Sequence, residues 1–353
     1  MTISRRHLVR AGLVVPGIAA LGLLLWWRGP DWSLVGDAFE AVSWRWVGVA
    51  LLLNLASVLV RAVSWDVVIR QAMPRSQQPP FANVFSAFAI GLLANAVLPG
   101  RIGELARVGV LARWTRRGQG TTGRLLGTVF AHRLFDLVPA LLLTAFVLAT
   151  TRIPHWAVTS LELVAVVGIA LFLAAILVAG RELRPLPESA LAIRRLMAMA
   201  QRGLHVLRKP RAAALAAVLQ TTGWLIQLLA VWSMMAAFGI DAPISAAAVV
   251  LLLMNVATIF PLWPGNIGLL QAVVALPLVS YGVAYSTGLA FGLGLQVLEM
   301  SVGVGVGLIF LMREGLSLET LRRMPDEESE ESEESVVEEL RPAAPRERAR
   351  MSG

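Results

Sequence analysis

The chain has 353 residues, of which 57% are hydrophobic and only 15% are charged. A soluble domain carries about 25% charged residues, so this composition excludes a soluble enzyme and a nucleic-acid-binding protein. The formal net charge of +8 is therefore interpreted as an indicator of membrane orientation. The chain contains no cysteine, which excludes disulfides and thiolate metal sites.

Apolar segments follow one another along the chain, and most are long enough to cross a bilayer as helices. The first candidate span runs from about 8 to 27, and we interpret it as a retained span although an arginine pair precedes it. Later segments lie near 46–68, 81–98, 125–150, 157–180, 212–238, 244–263, 266–282 and 286–312. Nine acidic residues crowd into 326–339, so 316–353 is expected to be a disordered, acidic cytoplasmic tail.

The placement of basic residues predicts the orientation of the chain. Of the 31 lysines and arginines, 26 fall at the N-terminus, in 69–80, 101–124 and 181–211, or after residue 312. Basic loops face the cytoplasm in multi-pass proteins. We therefore expect a multi-pass protein of a bacterial inner or plasma membrane with both termini in the cytoplasm.

This orientation predicts that segment 81–98 does not cross the membrane, because basic stretches lie on both sides of it. The segment ends in a Pro-Gly break, and the helical stretch that follows, 101–114, is too short and polar to span lipid. The economical solution is a re-entrant hairpin over 81–114. The segment 244–282 breaks at a second Pro-Gly and is either another re-entrant hairpin or two full spans.

The two breaks belong to an internal repeat. Residues 99–105 align with 264–270 at an offset of 165, and the Asn54/Arg61 pair matches Gln220/Gln227 at an offset of 166. We predict an all-α polytopic membrane protein with two inverted halves, 1–156 and 157–315, each with full transmembrane helices and one Pro-Gly-broken re-entrant hairpin. Such repeats place a substrate site at their interface near the bilayer midplane.

Charged side chains inside a bilayer cost about 2.5–3.5 kcal/mol each, so each needs a partner or a function. The candidate substrate-binding residues are Arg61, Arg101, Glu104, Arg107, Arg133, Asp136, Asn266 and Glu299. The candidate hairpin-tip residues are Pro99, Gly100, Gly103, Pro264, Gly265 and Gly268. A helix that starts at a tip presents unpaired N–H groups, which suit a lipid phosphate.

Two of these groups have structural alternatives. Asp136 could serve only to neutralise Arg133 three residues away, and the Arg101, Glu104 and Arg107 series could form an interfacial stripe. Two GxxxG pairs, Gly288/Gly292 and Gly303/Gly307, are interpreted as close-packing helix faces. No catalytic or metal-binding motif is found, so neither a cofactor nor a metal is expected.

The Asn-x-x-x-Pro-Gly-Arg-Ile-Gly-Glu-Leu-x-Arg run at 95–107, the Arg133/Asp136 helix and the Pro-Gly-Asn-Ile-Gly run at 264–268 resemble the flippase-like membrane domain of lysylphosphatidylglycerol synthases. The resemblance covers roughly residues 10–312. It implies two inverted bundles with re-entrant helices and, in the best-understood relatives, translocation of an aminoacylated phospholipid between leaflets.

Two features of the chain differ from that family pattern. The synthases append a soluble aminoacyl-transferase domain, whereas this chain ends in an acidic tail, so synthase activity is expected to be absent. Family members commonly have an acidic residue shortly after the second break, where this chain has Gln271. We include Gln271 among the candidate substrate-binding residues.

Our leading hypothesis is a lipid flippase-like transporter, not an enzyme, that handles an anionic or modified phospholipid or a lipid-linked precursor. Its expected partners are membrane lipids and a lipid-modifying enzyme, with no nucleic acid. A non-transporting accessory subunit of a lipid or glycan pathway is the alternative. A membrane-embedded transferase is the weaker alternative, because only His132 with Asp136 offers a general base.

The predicted topology can be tested by cysteine labelling, since the natural chain has no cysteine. Single cysteines introduced near Arg116 and near Arg202 should react only with reagents that reach the cytoplasm. Labelling near Arg116 from the outside would mean that 81–114 crosses the membrane, which would rule out the inverted repeat.

Overall fold

A computed structural model describes residues 32–98, 102–115, 121–151, 155–180, 206, 209–258 and 266–321. The regular structure in these ranges is helical. The helices are α1 (Trp32–Glu40), α2 (Trp44–Ala72), α3 (Phe81–Val97), α4 (Gly103–Ala112), α5 (Thr121–Thr150), α6 (His155–Gly180), α7 (Pro210–Ala237), α8 (Ile244–Ala257), α9 (Leu269–Val279) and α10 (Tyr285–Arg313). The predicted first span and the tail beyond 321 lie outside the described residues.

Four of the described helices, α2, α5, α7 and α10, are long and apolar enough to cross a membrane. This confirms the predicted all-α, polytopic membrane fold. The arms α4, α8 and α9 have 10, 14 and 11 residues. At 1.5 Å per residue, each is too short to cross a hydrocarbon core of about 30 Å alone. These lengths favour a re-entrant hairpin at 244–282 over two full spans.

The arms of each broken segment fold back on each other, as the sequence predicts. In the first hairpin, Gly91 of α3 lies directly against Gly103 of α4, and a side chain built at Gly91 would come within 2.9 Å of the Gly103 carbonyl oxygen. The Gly103 N–H donates to Asn95 Oδ1 at 3.0 Å. The returning helix is shorter than the predicted 101–114 and begins only at Gly103.

In the second hairpin, too, a hydrogen bond between an asparagine side chain and the backbone joins the two arms, although here the side chain donates. Asn266 Nδ2 donates to the carbonyl of Ala257 at 3.2 Å, and this bond joins the end of α8 to the start of α9. Asn266 has φ +45° and Gly268 has φ +92°. Glycine adopts a positive φ readily, and asparagine does so more often than most other L residues. A right-handed helix has a negative φ, so α9 begins only after Gly268.

The helices α8 and α9 are therefore shorter than the apolar segments predicted at 244–263 and 266–282.

Helices α2 and α7 hold equivalent positions in the two halves and run antiparallel. Ser57 Oγ donates to the Gly223 carbonyl at 2.8 Å, Ser64 Oγ donates to the Ala216 carbonyl at 3.0 Å, and Lys209 Nζ donates to Gln71 Oε1 at 3.1 Å. Each advance of seven residues along α2 is thus matched by a retreat of seven along α7. An inverted repeat requires this arrangement.

Ser57 marks the centre of this antiparallel pair. It is 166 residues from Gly223, which is the offset of the sequence repeat, so Ser57 bonds to its own counterpart. The same holds for Arg61, whose Nη1 donates to Gln227 Oε1 at 3.1 Å. A residue meets its counterpart only near a two-fold axis. The pseudo-two-fold axis between the halves therefore passes close to these two pairs.

Helix α10 holds both hairpins through its glycines. A side chain at Gly288 would lie 3.1 Å from the Ala275 Cα, and one at Gly292 would lie 3.2 Å from the Gln271 Cα, both on α9. A side chain at Gly307 would collide with Leu93 of α3. The interpretation as close-packing faces is confirmed for Gly288, Gly292 and Gly307, whereas a side chain at Gly303 would be in ordinary contact with Leu92 at 3.8 Å.

A carboxylate just after α10 ties the two arms of the first hairpin together. Glu314 Oε1 accepts from Ser86 Oγ on α3 at 2.6 Å, and Glu314 Oε2 accepts from Trp114 Nε1 after α4 at 2.8 Å. The second half thus fixes the first hairpin at its open end as well as along its length.

The contact between α10 and α3 can be tested with two neighbouring glycines. Gly307→Ala should destabilise the protein by about 1–3 kcal/mol, because the new methyl group overpacks a filled interface, with the Ala89 carbonyl oxygen only 2.8 Å away. Gly305→Ala is the matched control, since a side chain at Gly305 meets nothing within 4 Å. Thermal unfolding in one detergent measures both variants, and equal stability losses would contradict this packing.

Candidate functional site

The two halves enclose a cavity of about 310 Å³. Its walls come from both hairpins and from the long helices α2, α5, α7 and α10. The residues that line it include Asn54, Arg61, Phe88, Leu98, Gly103, Glu104, Arg107, His132, Arg133, Gln227, Thr258, Asn266, Gln296 and Glu299. Described residues on both sides of each Pro-Gly break thus line the same cavity, near the pseudo-two-fold axis.

Five charged side chains of the first half alternate in sign along one wall of this cavity. Arg107 Nη2 lies 2.7 Å from Glu104 Oε2. The other Glu104 oxygen binds Arg133, whose Nη1 lies 3.2 Å from Asp136 Oδ2. Asp136 Oδ1 in turn lies 3.4 Å from Arg61 Nη2. We call this series, from Arg107 to Arg61, the charge chain; it carries three positive and two negative charges.

The charge chain continues into the second half without a further cation. Arg61 donates to Gln227 Oε1, and Gln227 Nε2 donates to Glu299 Oε1 at 3.1 Å. The order of residues is symmetric about the axis. On one side Arg61 bonds to the carboxylate of Asp136, and on the other side its counterpart Gln227 bonds to the carboxylate of Glu299. The two halves therefore contribute equivalent positions, but only the first half contributes arginines.

Asp136 is the most heavily hydrogen-bonded residue of the charge chain. Beyond the two arginines, it accepts hydrogen bonds from Gln220 and from Trp224 Nε1, the latter at 2.8 Å. Both donors are on α7, in the opposite half. Asp136 therefore does more than neutralise Arg133, because it also joins the two halves at the cavity.

Arg107 is the most deeply buried arginine of the site, with 4% of its surface exposed. Its guanidinium lies 4.7 Å from the Trp65 ring centroid and 5.7 Å from that of Phe88. Such cation–π contacts stabilise a desolvated cation. Its Nη2 atom is ion-paired with Glu104, whereas its Nε atom has no hydrogen-bond acceptor among the described residues. This burial excludes the interfacial-stripe interpretation for Arg107.

Gln271, a second-half candidate, belongs to an uncharged network next to the second Pro-Gly break. Gln271 is buried, hydrogen-bonds to Gln296, and accepts from the Gly268 N–H at 2.5 Å. Gly268 is the counterpart of Gly103, whose N–H is held by Asn95. In each hairpin, an amide side chain therefore accepts a hydrogen bond from the N–H group at the equivalent position. Gln271 serves here as a structural cap and does not continue the charge chain.

The structure places the described candidates Arg61, Glu104, Arg107, Arg133, Asn266 and Glu299 on the cavity wall, with Asp136 and Gln271 directly behind it. Pro99, Gly100, Arg101, Pro264 and Gly265 lie outside the described residues. The proposed role of Arg101 at the first tip therefore stays a prediction.

Sequence reasoning missed three aromatic partners of these charges: Trp65 and Phe88 under Arg107, and Trp224 beside Asp136. Trp224 lies four residues after Gln220 and three before Gln227, so helical spacing places all three on one face. That spacing was the available signal. Trp65 and Phe88 lie on other helices than Arg107, and no spacing in the sequence connects them to it.

His132 and Asp136 do not form the hydrogen-bonded pair that a general base would need. His132 Nε2 lies 3.1 Å from the carbonyl oxygen of Arg61, and the Asp136 oxygens are occupied by donors from Arg61, Arg133, Gln220 and Trp224. This geometry argues against the transferase hypothesis, which depended on that pair.

Comparison with known proteins gives one family and one curated relative. Over 141 aligned residues the chain is 26% identical to the UPF0104 membrane protein PH1989 of Pyrococcus horikoshii. The aligned region covers 39% of this chain and 41% of that protein. The chain thus matches about two fifths of the length of this relative. No solved structure matches the chain at a significant level.

The family comparison covers both halves of the structure. The model of the lysylphosphatidylglycerol synthase TM region matches residues 11–307, a range that includes both hairpins, the whole charge chain and the four long helices except the last six residues of α10. This range agrees with the resemblance of the 95–107 and 264–268 motifs. The chain belongs to the family of the lysylphosphatidylglycerol synthase TM region.

Proposed function

We propose that this protein moves an anionic lipid head group across the membrane through the cavity between its two halves. The observation that carries the proposal is the buried Arg107, which lines this cavity and whose Nε donor is unused among the described residues. Head groups of membrane lipids are the ligands that a cavity at this depth would meet.

The charge of the cavity wall supports an anionic ligand. The charge chain has three arginines and two carboxylates, and the third carboxylate, Glu299, lies across the axis in the second half, so the excess of positive charge lies on the first-half side of the cavity. A phosphate can accept two parallel hydrogen bonds from one guanidinium, and such charge-assisted bonds are about twice as strong as neutral ones. Burial against Trp65 and Phe88 removes water that would otherwise compete for Arg107.

The antiparallel pairing of α2 and α7 supports transport rather than static binding. Equivalent helices in opposite orientation allow the two halves to exchange conformations, and this exchange opens a midplane site to each side in turn. The present arrangement is unequal: Gln220 and Trp224 bond to Asp136. Asn54, the counterpart of Gln220, lines the cavity without a bond to Glu299 among the described contacts.

The proposal extends to the surroundings of the protein. By the placement of basic residues, we propose that both termini face the cytoplasm and that the repeats span 1–156 and 157–315. The family takes its name from a synthase of a modified phospholipid. A separate lipid-modifying enzyme is therefore the protein partner that we propose.

Transport of a fluorescent anionic phospholipid in reconstituted vesicles tests the function. Arg107→Gln should lower the rate about tenfold or more, since one hydrogen bond to a charged group contributes about 1.5–3 kcal/mol. Arg107→Lys keeps the charge beside Glu104 but loses the planar fork, so it should retain partial activity. Arg45→Gln is the control, because Arg45 is exposed and does not line the cavity.

Two outcomes would contradict the proposal. Transport by Arg107→Gln at the parental rate would mean that the head group does not bind Arg107 during transport. Lipid binding by the parent protein without any transport would favour the accessory-subunit alternative.

The two equivalent carboxylates should differ in their effect on stability. Asp136→Asn removes the charge that holds two arginines and should cost about 3 kcal/mol, as expected when one member of a buried ion pair is lost. Glu299→Gln keeps an acceptor for Gln227 and should change stability by about 1 kcal/mol or less. The unfolding midpoints of both variants in one detergent measure this difference in stability. Equal losses of stability would mean that Asp136 does not join the two halves.

A further inference from the structure

His132 lies in the cavity wall on α5, with 1% of its surface exposed. Its Nε2 lies 3.1 Å from the backbone carbonyl oxygen of Arg61. A carbonyl oxygen only accepts hydrogen bonds, so Nε2 must have the proton and donate it. This contact fixes the orientation of the ring between α5 and α2.

The second ring nitrogen is therefore available for a ligand. His132 Nδ1 is buried and has no hydrogen-bond partner among the described residues. A protonated ring would add another buried positive charge near Arg107 and Arg133, with no carboxylate hydrogen-bonded to it in the described part of the chain. Burying an unpaired charge is costly. The ring is accordingly neutral, and Nδ1 presents a lone pair as an acceptor.

Arg107 and His132 lie against the same aromatic ring. The Phe88 centroid is 5.7 Å from the Arg107 guanidinium and 6.0 Å from the His132 ring, which meets it edge-on at 84°. All three residues line the cavity. An unused donor, Arg107 Nε, and an unused acceptor, His132 Nδ1, thus flank one phenyl ring.

A ligand that satisfies both groups must have an anionic oxygen and, close to it, a hydrogen-bond donor. A neutral donor fits best, because the cavity wall already has three arginines, Arg61, Arg107 and Arg133, each paired with a carboxylate, and a neutral group leaves those pairs undisturbed. A hydroxyl group close to a phosphate meets both requirements.

We propose that His132 selects head groups with a free hydroxyl, by accepting a hydrogen bond from that hydroxyl at Nδ1 while Arg107 binds the adjacent phosphodiester. The inference rests on the proposed function and narrows its substrate class to hydroxyl-bearing phosphodiester lipids. His132 is a specificity-determining residue in this view, and Arg107 is the anion anchor.

Two lipids of equal charge test this inference. Phosphatidylglycerol has a phosphodiester with free hydroxyls, and phosphatidylmethanol has the same phosphodiester without them. Binding of each to the purified full-length protein is measured by displacement of a fluorescent anionic lipid in detergent. The parent protein should prefer phosphatidylglycerol about three- to tenfold, the range expected for one hydrogen bond.

Two substitutions distinguish the roles of the two ring nitrogens of His132. His132→Gln keeps an amide N–H near the Nε2 position for the Arg61 carbonyl but offers no acceptor at Nδ1, so the preference should disappear while phosphatidylmethanol binds as before. His132→Asn keeps an acceptor near Nδ1 and should retain the preference. A purely structural role for His132 would instead change both lipids equally.

The outcomes distinguish this inference from the proposed function. Equal affinity of the parent for the two lipids, or an unchanged preference in His132→Gln, overturns hydroxyl selection and leaves anionic-lipid transport intact. Failure of the parent to bind either lipid overturns both proposals.

Discussion

Alternating charge holds the interior of this protein together. Arg107, Glu104, Arg133, Asp136 and Arg61 follow one another as positive and negative groups, each within ion-pair distance of the next. A single charge in a low-dielectric interior costs several kcal/mol, and its cost is offset only by a close partner and full hydrogen bonding. Every inner member of the series has a close partner of opposite charge on each side, which allows the first hairpin, α5 and α2 to be packed around a polar cavity.

The same interactions explain why the two halves stay in register. Gln220 and Trp224 reach from α7 to Asp136, and Gln227 connects Arg61 with Glu299. Ser57 meets Gly223 at the axis, and the missing side chain at Gly223 leaves room for the stem of Arg61, whose Cγ would lie 2.6 Å from a Cβ built there. Polar bonding and close backbone approach thus coincide at the centre of the molecule, where a membrane offers no hydrophobic force to bring helices together.

The sequence predicted the parts of this arrangement that depend on local patterns. Length and hydropathy placed the long helices, and the Pro-Gly breaks at a constant offset predicted both hairpins and the repeat. Spacing also put Arg133 and Asp136 on one face. The partners of Arg107 were not predictable, because Trp65 and Phe88 come from other helices and are set by three-dimensional packing. The hydrogen bond from His132 to a backbone carbonyl likewise leaves no mark in the residue pattern, since any carbonyl could accept it.

The glutamine at 227 has a consequence for energetics. In a fully symmetric molecule, exchanging the conformations of the two halves would reproduce the same contacts and the same energy. Here position 61 is an arginine and its counterpart is uncharged, so the exchanged arrangement contains a different set of ion pairs. The two end states of such an exchange therefore differ in free energy even with identical solutions on both sides. In the proposed transport cycle, one of the two states is therefore the resting state, and a bound anion, which adds its charge next to the arginines of one half only, changes the free energy of one state more than that of the other.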